Sequence, residues 1–213
     1  MDRKAHLEAV YGRKKSNEVS WYQAEPRLSL QIIDEVAGGP KASIIDVGGG
    51  ASRLVDRLLD RQFAEVSVLD LSGAALRETR ARLGERGGRV NWIEGDILNV
   101  ALPKAAYDVW HDRAVFHFLT DPADRRRYVE QVRRSVRAGG HVLVATFAAD
   151  GPQKCSGLEV ARYSPDELHA QFGDEFRLLR SVSEDHVTPM GTTQKFVYCV
   201  CSVEGAELAH HAA

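Results

Sequence analysis

Apolar residues in this chain fall into short continuous runs, separated by stretches in which they return every third or fourth position. Ser43 to Val47 is a β-rich run, and Leu54, Val55, Leu58 and Leu59 then recur at helical spacing. The pair reads as strand, tight turn, helix. Val66 to Leu69 predicts a second strand, and Ser72 can cap a helix through Leu76 to Leu83 before Gly84, Gly87 and Gly88 break it. Val90 to Ile93 is the third strand and Tyr107 to Trp110 the fourth. Asp121-Pro122 opens a helix carrying Tyr128, Val129 and Val132 that is expected to end at Gly139-Gly140, with His141 to Phe147 as the fifth strand.

Strands alternating with helices over about a hundred residues imply right-handed crossovers and a parallel sheet covered on both faces, an α/β fold. An irregular stretch follows from Ala148 to Ala161. Ser164-Pro165-Asp166-Glu167 then reads as a capping box opening a short helix to about Phe172. Phe176 to Val187 and Lys195 to Val203 are β-rich and joined by Thr188 to Thr193, a connection short enough to require an antiparallel hairpin. Near the start, Leu28, Ile32, Ile33 and Val36 form a helix stripe. The chain divides into an N-terminal helical cap or lid over 1–38, a main domain over 39–204 and a tail over 205–213.

Length and charge narrow the function classes. The chain's 213 residues suit one α/β domain, and 28 basic against 30 acidic side chains give a net charge of -2, so no nucleic-acid partner is expected. No apolar run approaches the roughly 18 residues that span a bilayer, and Met1-Asp2-Arg3-Lys4 leads into polar sequence, so a cytoplasmic protein without a membrane partner is expected. Cys155, Cys199 and Cys201 have neither C-x-x-C nor zinc-finger spacing. No metal site is expected from them. Cys199 and Cys201 should share a strand face as small buried residues.

The chemistry concentrates at Asp46-Val47-Gly48-Gly49-Gly50-Ala51-Ser52, between the first strand and its helix. Glycines there let the backbone turn tightly and approach a ligand that a Cβ would exclude, and Gly50 in particular is expected to take a positive φ against the ligand. Asp70 ends the second strand 22 residues after Gly48, where a carboxylate can accept hydrogen bonds from both ribose hydroxyls. A dinucleotide fingerprint would need a third glycine at Arg53, and no G-x-x-x-x-G-K-[ST] string occurs, which disfavours NAD, ATP and GTP.

What remains resembles the class I, seven-β-strand methyltransferases that use S-adenosyl-L-methionine. Asp46-x-Gly48-x-Gly50 is similar to their first motif, Leu69-Asp70-Leu71-Ser72 to the ribose motif, Glu94-Gly95-Asp96-Ile97 to the adenine-edge motif, and Tyr107 to Asp112 to the strand that follows. The resemblance covers about Ser43 to Val203. It implies a Rossmann-like, doubly wound, mostly parallel seven-stranded sheet with an antiparallel last strand and helices on both faces. It also implies S-adenosyl-L-methionine as cofactor, with Asp46, Gly48, Gly49, Gly50, Asp70, Leu71, Asp96, Ile97, His111 and Trp21 as its surroundings.

The loop ending at Ser52, with Asp112-Arg113 after the fourth strand, is similar to the elongation-factor lysine methyltransferases, where that pair reads Asp-Lys-Gly, though Ala114 replaces the glycine here. The N-terminal Glu18 to Gln23 and the ending His186 to Phe196 look closer to small bacterial methyltransferases. Because the sulfonium methyl is electrophilic by itself, the protein's task is alignment and, where needed, proton removal. Asp112, His117 and His186 are the candidates for that chemistry. Asp112 reads equally as a partner of Arg113 or a helix cap, His117 as a buried polar residue among Val115, Phe116 and Phe118, and the Thr188 to Gln194 tip as a self-satisfied loop. Trp21 and Tyr22 form a lid over the cofactor or dock on the sheet. A small-molecule acceptor is expected, with a protein lysine or a non-catalytic sensor role as alternatives, in a monomer or homodimer.

Overall fold

A computed structural model describes residues 3–11 and 16–205; the expected tail beyond residue 205 lies outside them. Seven strands form one sheet: β1 (Ser43–Val47), β2 (Glu65–Asp70), β3 (Val90–Glu94), β4 (Tyr107–Arg113), β5 (Val136–Phe147), β8 (Phe176–Val187) and β9 (Thr193–Val203). Their order is β3-β2-β1-β4-β5-β9-β8. β9 alone runs against the rest, paired antiparallel to both β5 and β8. The order reverses between β1 and β4, and in a doubly wound sheet the crevice at that point receives ligands.

Alternation along β1 divides the core. Ile44 packs with the apolar faces of α2 (Arg27–Val36), α3 (Leu54–Asp60) and α4 (Gly73–Leu83), whereas Ile45 and Val47 pack with α5 (Pro122–Ser135) and α6 (Pro165–His169). Both faces are thus covered. α2, whose Leu30, Ile32 and Ile33 are fully buried, belongs to the core, so the segment 1–38 is only in part a cap. The outer part is α1 (Arg3–Tyr11), which lies across the strand ends: Lys4 pairs with Glu94 at 2.7 Å on one side, and His6 Nε2 lies 2.7 Å from the Ser156 carbonyl on the other. Among the described residues no helix is long and apolar enough to cross a membrane.

Several boundaries differ from expectation, each for a local reason. α5 stops at Ser135 because Val136 already pairs with Tyr107, so Gly139-Gly140 lie within β5. Ala148 to Ala161 is not wholly irregular; it carries the small hairpin of β6 (Lys154–Cys155) and β7 (Leu158–Glu159). α6 ends at His169, short of Phe172. β4 runs on to Arg113, so His111, Asp112 and Arg113 are strand residues pointing alternately to the two faces.

Candidate active site

At the carboxyl ends of β1, β2 and β4, where a doubly wound sheet receives ligands, lies a partly open cavity. Gly48, Asp70, Leu71, Asp96 and Ile97 line it together with Tyr11, Trp21, Val115, Phe118 and Cys155. An adjoining chamber shares Tyr11, Trp21, Gly48 and Arg113 and adds Ser29, Asp46, Gly49 and His111.

The glycine turn works differently at each position. Gly48 holds φ +73, and a Cβ there would collide with Val115. Gly50, against expectation, has no positive φ and lines neither chamber; a Cβ there would run into the Asp70 carboxylate and Ala75. Its backbone N–H instead donates to Asp70 Oδ2 at 2.9 Å, while Ser72 N–H donates to Oδ1 at 2.7 Å. Glycine at 50 is thus required to let the loop hold Asp70. Burial lifts the Asp70 carboxyl to about 6, and the two backbone donors oppose that rise.

Asp46 and His111 form a supporting layer under the turn. His111 Nδ1 donates to Asp46 Oδ1 at 2.7 Å, and Nε2 accepts from the Ser29 hydroxyl at 2.9 Å. With both nitrogens engaged, His111 acts through Asp46. The second Asp46 oxygen is buried without a hydrogen-bond partner among the described residues, in the chamber that Gly48 and Gly49 line. A cationic ammonium group would satisfy it.

The three acid–base candidates do not line the cavity. Asp112 lies on the opposite face of β4 from His111: its oxygens accept from the N–H groups of Val115 (2.8 Å) and Phe116 (3.1 Å) and from the Tyr128 hydroxyl (2.6 Å), which itself accepts from Trp110 Nε1. The cap reading of Asp112 describes this geometry. His117 is fully buried between the Phe118 and Phe147 rings with neither nitrogen partnered among the described residues, and burial drives it down to about 3, a neutral ring at physiological pH. His186 lies 2.8 Å from the Ser20 carbonyl and faces a separate outer groove with Tyr22, Gln23 and Pro189.

Among the lining residues, Tyr11 and Cys155 were not sequence candidates, and Arg113 was read only as one of the residues following the fourth strand. Tyr11 reaches the cavity from α1 and meets Trp21 edge to face, with centroids 6.3 Å apart. Its one sequence signal was an aromatic residue in a polar stretch. Cys155 sits on the β6–β7 hairpin, its thiol pushed up to about 12 by burial. Arg113, on β4, is 8% exposed and its guanidinium stands 4.1 Å over the Phe196 ring. Nε and Nη2 donate to Glu184 and Nη1 to the Trp21 carbonyl at 3.2 Å. Glu184 also accepts from Gln23 at 2.9 Å, so one ion pair ties the N-terminal segment to the final hairpin.

Comparison with known proteins agrees with this geometry. Residues 44–140 match the family described as a methyltransferase domain. The chain is 31% identical over 122 residues to a ubiquinone biosynthesis O-methyltransferase of Nitrosomonas europaea, covering 56% of this chain and 50% of that one. It is 24% identical over 149 residues to the eEF1A lysine and N-terminal methyltransferase of Bos taurus, covering 67% of this chain and 21% of the relative. The chain therefore spans half the length of the first relative and about a fifth of the second. Among solved structures, the 1,6-didemethyltoxoflavin-N1-methyltransferase of Burkholderia thailandensis, with bound 1,6-didemethyltoxoflavin and S-adenosylhomocysteine, superposes with a TM-score of 0.68 at 18% identity, over 94% of this chain and 88% of that one. The methyltransferase-domain match runs from β1 into β5, and the seven-strand order with its one reversed strand is the Rossmann-like fold that this solved methyltransferase shares.

Proposed function

We propose that this chain transfers the methyl group of S-adenosylmethionine to a small-molecule acceptor held against the aromatic and apolar side chains of the cavity. The observation that carries this reading is one cavity at the strand ends that brings the Asp70 and Asp96 carboxylates together with the side chains of Tyr11, Trp21, Val115 and Phe118. Asp70 would accept the ribose hydroxyls, with Leu71, Asp96 and Ile97 around the adenine and Asp46 Oδ2 turned to the ammonium of the methionine moiety. The bound cofactor supplies an electrophilic methyl group on sulfur. Tyr11, Trp21, Val115 and Phe118 exclude water and set the acceptor in line with it. The ubiquinone O-methyltransferase among the relatives is a small-molecule enzyme by name, which supports the same class.

A lysine acceptor, suggested by the eEF1A methyltransferase among the relatives, is favoured less. A lysine ammonium would want a carboxylate of its own, and this reading already gives the lining carboxylates, Asp70 and Asp96, to the cofactor. The test has two arms. Calorimetric titration with S-adenosylmethionine should give saturable binding, and a panel of small hydroxyl, thiol and amine acceptors should yield S-adenosylhomocysteine. Label transferred to lysate protein, with none to the panel, would reverse the choice of acceptor. Cofactor binding without turnover on any acceptor would leave a sensor.

A further inference from the structure

With Asp70 and Asp96 given to the cofactor, the cavity wall holds no further carboxylate or imidazole among the described residues. Tyr11, Trp21, Val115, Phe118 and Cys155 offer a phenol and a thiol that are both pushed above their usual range, in each case chiefly by burial. Asp112, His117 and His186 face elsewhere, Asp46 is held by His111 beneath the glycine turn, and Glu184 is occupied by Arg113, Gln23 and Tyr198. A neutral hydroxyl is a poor nucleophile, and an apolar enclosure makes it a weaker acid still.

What the cavity does offer is a cation. Arg113 lines both chambers, and of its five N–H groups those on Nε, one on Nη1 and one on Nη2 are engaged by Glu184, Tyr198 and Trp21. One N–H on each terminal nitrogen is without a partner among the described residues. Glu184 opposes the Arg113 charge at Tyr198 and His186, whereas Cys155 and His117 feel Arg113 without it. The Arg113 charge favours the ionised forms of the Cys155 thiol and the Tyr198 phenol and works against protonation of His117 and His186. Cys155 is itself a cavity wall, so the field reaches the lumen. Asp70, in the same lining, acts on Tyr11 with the opposite sign.

We propose that the acceptor is a phenol- or enol-type hydroxyl bound as its anion, with Arg113 as the residue that receives the negative oxygen; this rests on the methyltransferase reading above. The hydroxyl proton passes to solvent before the acceptor is enclosed. The oxygen lone pair then forms the O–C bond to the methyl carbon as the carbon–sulfur bond breaks, and that bonding pair stays on sulfur, leaving a neutral thioether. An amine acceptor fits poorly, because its product ammonium would form beside a cation in an apolar enclosure.

The test reads the ionisation of a bound probe. The chain is saturated with S-adenosylhomocysteine and titrated with 4-nitrophenol, whose anion and neutral form absorb at different wavelengths, one pH unit below the probe's own pKa. There the free probe is about one-tenth ionised. The bound probe should be mostly anion, and 4-nitrotoluene, of similar shape without the acidic proton, should bind at least tenfold more weakly. Arg113→Met combined with Glu184→Gln, which avoids stranding a buried carboxylate, should return the bound probe to the neutral form. Arg113→Lys, which keeps the charge, should preserve the anion and serves where the double variant does not fold. A neutral bound probe in the parent overturns the proposal, as does equal affinity for 4-nitrotoluene or failure of both 4-nitrophenol and 7-hydroxycoumarin to bind at millimolar concentration. Failure of S-adenosylhomocysteine to bind in the first step would overturn the methyltransferase reading instead.

Discussion

Asp70 and Asp112 stand at the carboxyl ends of β2 and β4, both buried, both held by backbone N–H groups of the turn that follows, and both lifted by burial to about 6. By acidity alone they are twins. Their surroundings separate them: Asp70 opens on the cavity, whereas the Tyr128 hydroxyl closes the remaining face of Asp112 and joins it to Trp110. A perturbed carboxyl marks a functional group only where a ligand can reach it; elsewhere it marks a packed polar joint.

The most forceful way to break this comparison is Asp112→Ala. It strands the N–H groups of Val115 and Phe116 and the Tyr128 hydroxyl, each costing about 1 to 3 kcal/mol. After allowing for the relief of removing a buried carboxyl, a loss of about 3 kcal/mol in urea unfolding is expected, with cofactor affinity of the folded protein within about threefold of the parent. A stable variant that cannot bind cofactor would move Asp112 into the site.

Acidity sharpens the same contrast. A carboxyl lifted from 3.8 to about 6 holds its proton in the native state after the unfolded chain has released it. Its contribution to stability therefore falls as pH rises through that window, by about 3 kcal/mol, and stays lost above it. Asp112→Asn should remove this decline, seen as a smaller drop in unfolding free energy between pH 4 and pH 7 than the parent shows. An identical drop would mean that Asp112 does not titrate in that window.

Asp70→Ala should cost at least tenfold in cofactor affinity, since one charge-assisted hydrogen bond is worth about 1.5 to 3 kcal/mol. Because Asp70 must be ionised to accept two hydroxyls, parent affinity should also decline as pH falls through about 6. Calorimetry at pH 5 and pH 7.5 decides this, and a flat profile would count against Asp70 as the cofactor's carboxylate. The smallest effect is assigned to His186→Ala: with the ring turned to Ser20 and the outer groove, turnover should stay within about threefold. A hundredfold loss would restore His186 as a base.

The strands and the glycine turn were legible because their signals are local: a β-rich run, a capping serine, a glycine cluster. The depth of β4 was not. His111, Asp112 and Arg113 read as a polar loop, yet each is buried because a distant residue satisfies it: Asp46, Tyr128 and Glu184 respectively. Asp70 was readable because its place at the end of β2 is fixed by counting from Gly48. Tyr11 and Cys155 were missed as cavity walls because nothing near them in sequence tells that α1 and the β6–β7 hairpin meet over the same strand ends.

The reversed strand carries a consequence for how the molecule is made. β8 has β9 as its strand neighbour, and β9 is also what covers the free edge of β5. During synthesis β1 to β5 can zip together in order, but β8 then emerges with no strand to join. Until Thr193 to Val203 follows, two strand edges stand open at once, β5 and β8, in a region of high contact order. That interval is when one nascent chain is most exposed to pairing with another.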